Sequence, residues 1–419
     1  MDTSISDSSS VALDQSVKPP GFTRYQSFVV AILAFLQFTV ILDFMIMSPL
    51  GAAMLPALNI TTGQFGVAVS VYAFSAGISS LLAAGFADRF DRKKLLLFFY
   101  GGFVLGTLFC GLATSYHFLL FARLVTGVFG GVIGSVVFAI TTDLFEFHQR
   151  GRVMGFIQTA FAASQILGLP AGLYLSNRWD WHAPFLMIVG VSLLAGVVIV
   201  KYLKPITAHL AAPAEHTAIM HLKNTVTNSR YIQAFLTTAL LSIGGFMLMP
   251  FGSTFTVNNL GIGMDKLPMI YLVTGIATII IGPLVGRASD RLGKFNVFVF
   301  GTVVSMIMVL IYTNLGITPL AVVIGINVLM FVGIFSRMIP SQALMSAIPS
   351  LASRGSFMSI SSSLQQISGG IASVVAGLIV MQDASGKLLY FDRIGYVMVC
   401  TSLITVVMMY FINKKIKQD

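Results

Sequence analysis

Twelve stretches of this 419-residue chain are about 20 residues long or longer and carry almost no charge. A helix needs about 20 consecutive apolar residues to cross a hydrocarbon core of about 30 Å, whereas a barrel strand needs only about 9–11 alternating ones. The stretches show no such alternation, and lipid offers the backbone no hydrogen-bonding partner, so we predict helices. These spans, numbered one to twelve, have the approximate limits 27–50, 64–86, 95–114, 117–141, 153–175, 183–203, 232–257, 268–288, 295–315, 319–347, 356–381 and 393–412.

The composition excludes a water-soluble enzyme. Hydrophobic residues make up 56% of the chain and charged residues 10%, whereas a soluble domain carries about 25% charged residues. Cys110 and Cys400 both lie in apolar stretches, so neither a disulfide framework nor a zinc site is expected. The net charge of +10 is distributed between the apolar stretches, which is unlike a basic surface for nucleic acid. We therefore expect lipid, and no nucleic acid, as a partner.

The loops between spans predict their direction, because cytoplasmic loops of membrane proteins carry an excess of lysine and arginine. With the N-terminus in the cytoplasm, nineteen of these residues lie on the cytoplasmic side, four on the other side and two inside spans. An even number of spans then returns the C-terminus to the cytoplasm. Without a cleavable signal sequence, span one is expected to act as an uncleaved signal anchor.

The longest polar connection between spans separates spans one to six from spans seven to twelve. Short sequences recur at nearly one offset in the two sets, which indicates a parallel repeat. Such repeats normally enclose one central path with the substrate site near the midplane. The predicted units are a disordered cytoplasmic tail at 1–24, a six-helix bundle at 25–203, a cytoplasmic linker at 204–231, a second six-helix bundle at 232–412 and a cytoplasmic tail at 413–419.

The loop after span two reads Gly85-Phe86-Ala87-Asp88-Arg89-Phe90-Asp91-Arg92-Lys93-Lys94, and the second half repeats it within 282–294. This sequence resembles the cytoplasmic loop signature of the major facilitator superfamily, with Asp91 in place of the usual glycine. The resemblance implies an all-α membrane protein with twelve transmembrane helices in two pseudo-symmetric six-helix bundles. It also implies a transporter rather than an enzyme. We find no phosphate-binding loop motif for ATP and expect no cofactor or metal.

The resemblance further implies a gate on the cytoplasmic side. In the family the equivalent of Asp88 meets span eleven, whose start lies near Ser356, and Arg92 would pair with Asp143 at the end of span four. The second half has no acid near position 347, so its gate is expected to be weaker. The alternative is that these charges only set the topology. The predicted gate residues are Gly85, Asp88, Arg89, Arg92, Asp143, Asp290 and Arg291.

Span four contains Arg123 followed four residues later by Gly127, which resembles a signature of proton antiporters in the superfamily. Its four glycines are explained by close helix packing. An arginine inside the membrane is costly and usually faces a cavity or an acidic partner, although this one could also reach the external surface. In span five, Leu167-Gly168-Leu169-Pro170-Ala171-Gly172 resembles the sugar-efflux and arabinose-efflux-like branch more than the drug antiporters.

Asp43 is the one carboxylate deep inside a span; the other acidic residues lie in tails, loops or span ends. An apolar environment penalises the charged form of such a group, so Asp43 is the predicted proton-coupling residue. Arg123 and Arg337 are its candidate counter-charges, and a static ion pair is the alternative. Arg337 has no arginine counterpart in the first half, so it is also a candidate for binding an anionic or hydroxyl-rich substrate.

The cavity is predicted from residue type and from the expected breaks near Pro49 in span one and Pro250 in span seven. Broken spans tend to line the path of a transporter. Each candidate is also explained by packing or by bonding between helices. The candidates are Gln37, Tyr72, Gln165, Phe246, Tyr271, Asn327, Gln365 and Gln366.

These features together favour a secondary active transporter that exports drug-like or amphiphilic small molecules by alternating access, coupled to protons. We expect it to act as a monomer in the inner (plasma) membrane, with a small-molecule substrate and protons as partners. Export of sugars or other metabolites is the alternative within the same superfamily. A membrane sensor or scaffold that does not transport is a more remote alternative.

Overall fold

The computed structural model describes residues 22–83, 87–207, 210, 228–349 and 354–418. Within these ranges, eleven helices are long and apolar enough to cross a membrane, and Tyr231–Phe246 is a shorter apolar helix. The shorter helix is the first part of span seven, which is interrupted. With it, the described helices account for the twelve predicted spans, and the predicted all-α membrane protein is confirmed.

The helices of the first half follow the predicted spans. Span one comprises Arg24–Ile46 and the short helix Gly51–Ala57; spans two, three and four are Thr62–Ala83, Arg92–Gly111 and Tyr116–Leu144. Span five comprises Phe147–Ala163, a π-helical turn at Ser164–Gly168 and Leu169–Arg178; span six is Ala183–Tyr202. A short 3₁₀ turn, Ala87–Arg89, lies between spans two and three.

The second half has the same arrangement. Span seven comprises Ser229–Phe246 and Gly252–Asn258, and a 3₁₀ turn at Met264–Lys266 leads into span eight, Leu267–Leu292. Spans nine, ten, eleven and twelve are Lys294–Thr313, Leu320–Ser346, Arg354–Ile379 and Phe391–Gln418.

Spans one and seven are broken at matching places. The breaks contain Pro49 and Pro250, whose rings cannot donate a backbone hydrogen bond and clash with the preceding turn. Ser48 Oγ donates to the carbonyl of Met249, and Ser253 Oγ donates to the carbonyl of Ser48 at 2.9 Å. The two breaks therefore satisfy each other's polar groups and join the two halves of the chain.

Spans two and eleven form a second contact between the halves. Thr62 Oγ1 donates to the carbonyl of Val380 at 2.6 Å. A Cβ added at Gly66 would lie 2.6 Å from the carbonyl oxygen of Ser373 and 3.2 Å from Gly377 Cα, so only glycine fits there. The two helices touch backbone to backbone, at the ends that the charge count assigns to the outside.

A two-stranded hairpin between spans eleven and twelve was not predicted from the sequence. Strands Met381–Gln382 and Leu388–Leu389 pair antiparallel. Ser385 Oγ donates to Asp383 Oδ1 at 2.7 Å, and this bond, with the backbone N–H groups of Lys387 and Ser385, holds the pKa of Asp383 below its ordinary value. Asn259 in turn accepts from the N–H of Leu388 and donates to its carbonyl, both at 2.9 Å. The hairpin is thereby fixed to the end of span seven.

Candidate functional site

A buried ion pair joins span one to span four. Arg123 Nη1 lies 2.9 Å from Asp43 Oδ2, and both side chains are fully buried. Thr107 Oγ1, from span three, donates to Asp43 Oδ1 at 3.1 Å. Both carboxylate oxygens of Asp43 thus have a partner, and three spans converge on one acidic group. Of the two arginines that the sequence left open, the structure brings Arg123 to Asp43.

The face of span four explains why the arginine lies there. Leu119, Arg123, Thr126, Gly127 and Gly130 are buried and recur at helical spacing. Small residues let neighbouring helices approach closely, and a Cβ on Gly127 would lie 2.5 Å from the carbonyl oxygen of Tyr72 in span two. Arg123 is consequently held inside the bundle and does not reach the surface.

The guanidinium of Arg123 is only partly satisfied. Within the described residues, its Nε and Nη2 atoms have no hydrogen-bond partner. Its Cζ atom lies 4.5 Å from the centre of the Tyr72 ring, on which the cation rests. A buried donor without an acceptor raises the free energy of the folded state. When the charge on Asp43 is lost, the Arg123 side chain is therefore favoured to move toward other contacts.

A small crevice lies between the two halves, and Phe44, the neighbour of Asp43, is part of its wall. Two amides and one hydroxyl interrupt an otherwise apolar wall. Phe44 follows Asp43 directly in the chain, and its ring centre lies 5.4 Å from that of Tyr72. The lining residues are Phe44, Val69, Ala73, Phe246, Met249, Gln365, Gln366, Gly369 and Ser373.

Three predicted cavity residues line this crevice: Phe246, Gln365 and Gln366. Tyr72 is not in the lining, but its ring packs against Phe44, which is. Gln37, Gln165, Tyr271 and Asn327 are not among its lining residues.

Those four have other surroundings. Asn327 donates to the carbonyl of Val323 in its own helix at 2.9 Å, and Gln165 is buried in the π-helical turn of span five. Gln37 and Tyr271 are partly buried. Phe44 and Met249 line the crevice but were missed, although each neighbours a residue that the sequence singled out: Asp43 and Pro250.

The predicted gate is described in part. Arg92 Nε lies 2.9 Å from Asp143 Oδ2, and Arg92 Nη1 donates to the carbonyl of Ala87 at 3.0 Å. Gly85 and the side chain of Asp88 lie outside the described residues, as does the segment 350–353 before span eleven.

The remaining gate candidates are exposed. Arg89 is on the surface, and so are Asp290 and Arg291, which make no ion pair among the described residues. Among the described residues, an ion pair thus forms at the first-half loop and none forms at Asp290 or Arg291.

Asp91, which departs from the signature, has a structural role that the sequence did not reveal. Its Oδ1 accepts from the N–H of Lys93 at 2.8 Å, which caps span three, and from the N–H of Ile206 at 3.1 Å. The N–H of Arg92 donates to the carbonyl of Ile206 at 3.2 Å. The start of the linker is therefore bound to the loop. At the matching place in the second half, Gly293 has a φ of +91°, which favours glycine.

Asp91→Ala should release the linker. The change removes a helix cap worth about 1 kcal/mol and the acceptor for the N–H of Ile206. We expect chymotrypsin to cleave the detergent-solubilised variant after the exposed Leu210 several-fold faster than the unchanged protein. Asp91→Asn keeps an acceptor oxygen and serves as the control, with near-normal cleavage. Equal rates for all three proteins would show that Asp91 does not hold the linker.

Arg337 is the second cation at membrane depth. Its side chain is 5% exposed, and within the described residues Nε and Nη2 have no partner. The predicted pairing with Asp43 does not form, because Arg123 occupies that carboxylate. In the part of the chain that the structure describes, Arg337 thus has no acidic partner.

Comparisons with known proteins agree with this architecture. A sequence model of the family described as Major Facilitator Superfamily matches residues 33–373. The uncharacterized MFS-type transporter YceJ of Bacillus subtilis (strain 168) is 25% identical over 348 residues, which are 82% of this chain and 87% of that protein. Multidrug resistance protein 2 of the same organism is 25% identical over 255 residues, 59% of this chain and 63% of that protein.

A solved structure shares the fold. It is that of a bacterial homologue of the human lysosomal transporter Spinster, in an inward-facing and occupied conformation. The TM-score is 0.72 at 14% identity, and the match covers 94% of this chain and 98% of that one.

Proposed function

The chain belongs to the major facilitator superfamily, and from this premise we propose that it exports drug-like or amphiphilic small molecules in exchange for protons. The family makes it a multi-pass membrane transporter and not an enzyme. The observation that carries the proposal is the fully buried Asp43–Arg123 pair, which lies beside the crevice. Intramembrane carboxylates of this kind mark ion pathways and proton relays.

The pair can act as a proton switch. While Asp43 is charged, its attraction to Arg123 holds spans one and four together. Uptake of a proton by the Asp43 carboxylate removes that attraction, and loss of the proton restores it. One proton moving down a potential of 100 mV is worth about 2.3 kcal/mol, which sustains a concentration ratio of a few tens. Inward flow of one proton therefore supplies enough free energy to drive export of one molecule against such a ratio.

Two observations support export from a cell. One relative is a multidrug resistance protein, and Arg123 with Gly127 resembles the antiporter signature in span four. The charge asymmetry of the loops favours an orientation with both termini on the cytoplasmic side of a plasma membrane. The crevice, whose wall contains Phe44, Phe246, Gln365 and Gln366, is the proposed substrate site.

Purified protein in liposomes with an acidic lumen tests the exchange. Proton efflux should drive uptake of the substrate, with about tenfold accumulation per pH unit for one proton per molecule. The external probes are a fluorescent organic cation, an uncharged disaccharide and a fluorescent organic anion. Accumulation only when the outside is acidic would instead show uptake together with protons, and would overturn the antiport proposal.

Export of a sugar or another metabolite is the second candidate. The segment Leu167–Gly172 resembles the sugar-efflux branch, and the structure forms a π-helical turn at Ser164–Gly168 there, followed by Pro170. A π-helical turn and a proline make a helix bendable, and such turns often occur at functional sites. In the same liposomes, this candidate requires accumulation of the disaccharide without accumulation of the dyes.

Arg337 should give the transporter a preference for anions. A guanidinium that has no protein acceptor can donate to a carboxylate or sulfonate, and such charge-assisted bonds are worth about 1.5–3 kcal/mol. Arg337 does not line the crevice, so an anionic substrate would meet it at another stage of the transport cycle. Arg337→Met is therefore expected to slow transport of the organic anion about tenfold or more and to leave transport of the disaccharide unaffected. Arg337→Lys, which keeps the charge, should lose less. An equal loss for charged and neutral probes would indicate a purely structural role.

A further inference from the structure

Four side chains connect the buried ion pair to the opposite half of the protein. Arg123 rests on the Tyr72 ring, with Cζ at 4.5 Å from its centre. The ring centres of Tyr72 and Phe44 are 5.4 Å apart, and those of Phe44 and Phe246 are 6.1 Å apart. These contacts run through spans four, two, one and seven and end at the crevice, whose wall contains Phe44 and Phe246.

The backbone of Tyr72 is fixed, so its ring is the part that can respond. At Gly127 the backbones of spans two and four touch: an added Cβ would lie 3.0 Å from Tyr72 Cα. The Tyr72 hydroxyl makes no hydrogen bond among the described residues, and the ring is 3% exposed. The useful part of Tyr72 is therefore its aromatic face, which phenylalanine would also supply.

Protonation of Asp43 changes the forces on this ring. The neutral acid no longer attracts Arg123, whose unpartnered Nε and Nη2 atoms then favour the electron-rich ring face. A cation on an aromatic ring is stabilised by about 0.5–2 kcal/mol, depending on its burial. Since the Tyr72 ring packs against the Phe44 ring, a stronger pull from Arg123 alters the support of the crevice wall.

We propose that Tyr72 is the positioning residue that couples the charge state of the Asp43–Arg123 pair to the shape of the crevice whose wall contains Phe44 and Phe246. The proposal rests on proton coupling through Asp43. The charged or titratable groups that interact with Asp43 are Arg123 from span four, Tyr72 from span two and Cys110 from span three.

A cysteine in the crevice wall tests this without a known substrate. Met249→Cys is introduced together with Cys110→Ser and Cys400→Ser, which remove the two native thiols. The alkylation rate with N-ethylmaleimide is measured in proteoliposomes from mildly acidic to mildly alkaline pH. Division by the rate for the unfolded protein at the same pH corrects for ordinary thiolate formation, and the Asp43→Asn variant, which contains the same cysteine, measures what remains of that effect.

The reference protein should show a normalised rate that changes about tenfold with pH, which corresponds to a conformational bias of about 1.4 kcal/mol. Asp43→Asn should abolish the change. Tyr72→Leu should abolish it as well, although Asp43 is intact, whereas Tyr72→Phe should keep it. Phe44→Leu interrupts the same contacts one step further on and should behave like Tyr72→Leu, which provides a second test if Tyr72→Leu does not fold.

The outcomes separate the two proposals. If Asp43→Asn abolishes the pH response but Tyr72→Leu and Phe44→Leu preserve it, the role of Tyr72 is overturned and proton coupling is left intact. A response that is lost equally in Tyr72→Phe and Tyr72→Leu would assign the role to the hydroxyl and contradict the proposal. No pH response in the reference protein would reject the coupling through Asp43 and, with it, the role of Tyr72.

Discussion

Replacement of Asp43 by asparagine is expected to reduce proton-driven accumulation from tens-fold to none, while exchange of substrate between equal compartments continues. Asparagine has nearly the same shape, and its amide oxygen can accept from Thr107 or Arg123, but it cannot take up a proton. The measurement is uptake into liposomes with an acidic lumen, compared with substrate exchange at equal pH. Loss of driven uptake with retained exchange separates coupling from binding.

Asp265→Asn is the matched control, because it makes the same chemical change at an exposed carboxylate before span eight. It should leave driven uptake at the level of the unchanged protein. If Asp43→Asn also accumulated substrate normally, the Asp43–Arg123 contact would be a static ion pair, as the alternative reading of the sequence holds. Failure of both driven uptake and exchange would point to a folding defect, which the unfolding temperature detects.

The spans could be predicted from the sequence because hydrophobic length is a local property that lipid imposes on each helix separately. For the same reason Asp43 could be recognised, since one carboxylate stands out in an apolar stretch. Its partner could not be chosen from the sequence. Whether Arg123 or Arg337 meets Asp43 depends on how spans one, four and ten are rotated about their axes, and that follows from packing at positions such as Gly127.

Features that depend on distant parts of the chain were also missed. Asp91 appeared to be only a departure from the loop signature, because its second partner, the N–H of Ile206, lies 115 residues away. The hairpin after span eleven contains only two residues in each strand, too few for an alternating pattern, and it is held in place by Asn259. In both cases the determining contact is a hydrogen bond between segments that no local pattern relates.

Replacement of Arg123 by glutamine is expected to have the second largest effect on transport and a smaller effect on stability than Asp43→Asn. Breaking a buried pair costs about 3–5 kcal/mol when it leaves an uncompensated charge. Asp43 can bind a proton and become neutral once its partner is removed, whereas a guanidinium keeps its charge in proteins. Asp43→Asn therefore leaves a permanent buried charge, and Arg123→Gln does not.

The stability difference can be read from the buried Cys110, which is fully inaccessible in the folded protein. In a Cys400→Ser background, a thiol-reactive dye reports unfolding on heating. We expect the unchanged protein to have the highest unfolding temperature, Arg123→Gln a lower one and Asp43→Asn the lowest. The double variant Asp43→Asn/Arg123→Gln should unfold at a higher temperature than Asp43→Asn, because it contains no buried charge.

All three variants should lose driven uptake, since none contains both the proton-binding group and its counter-charge. Driven uptake in the double variant would show that the proton binds elsewhere. A reversed stability order, with Arg123→Gln least stable, would mean that Asp43 stays charged without its arginine and that proton binding does not relieve the pair.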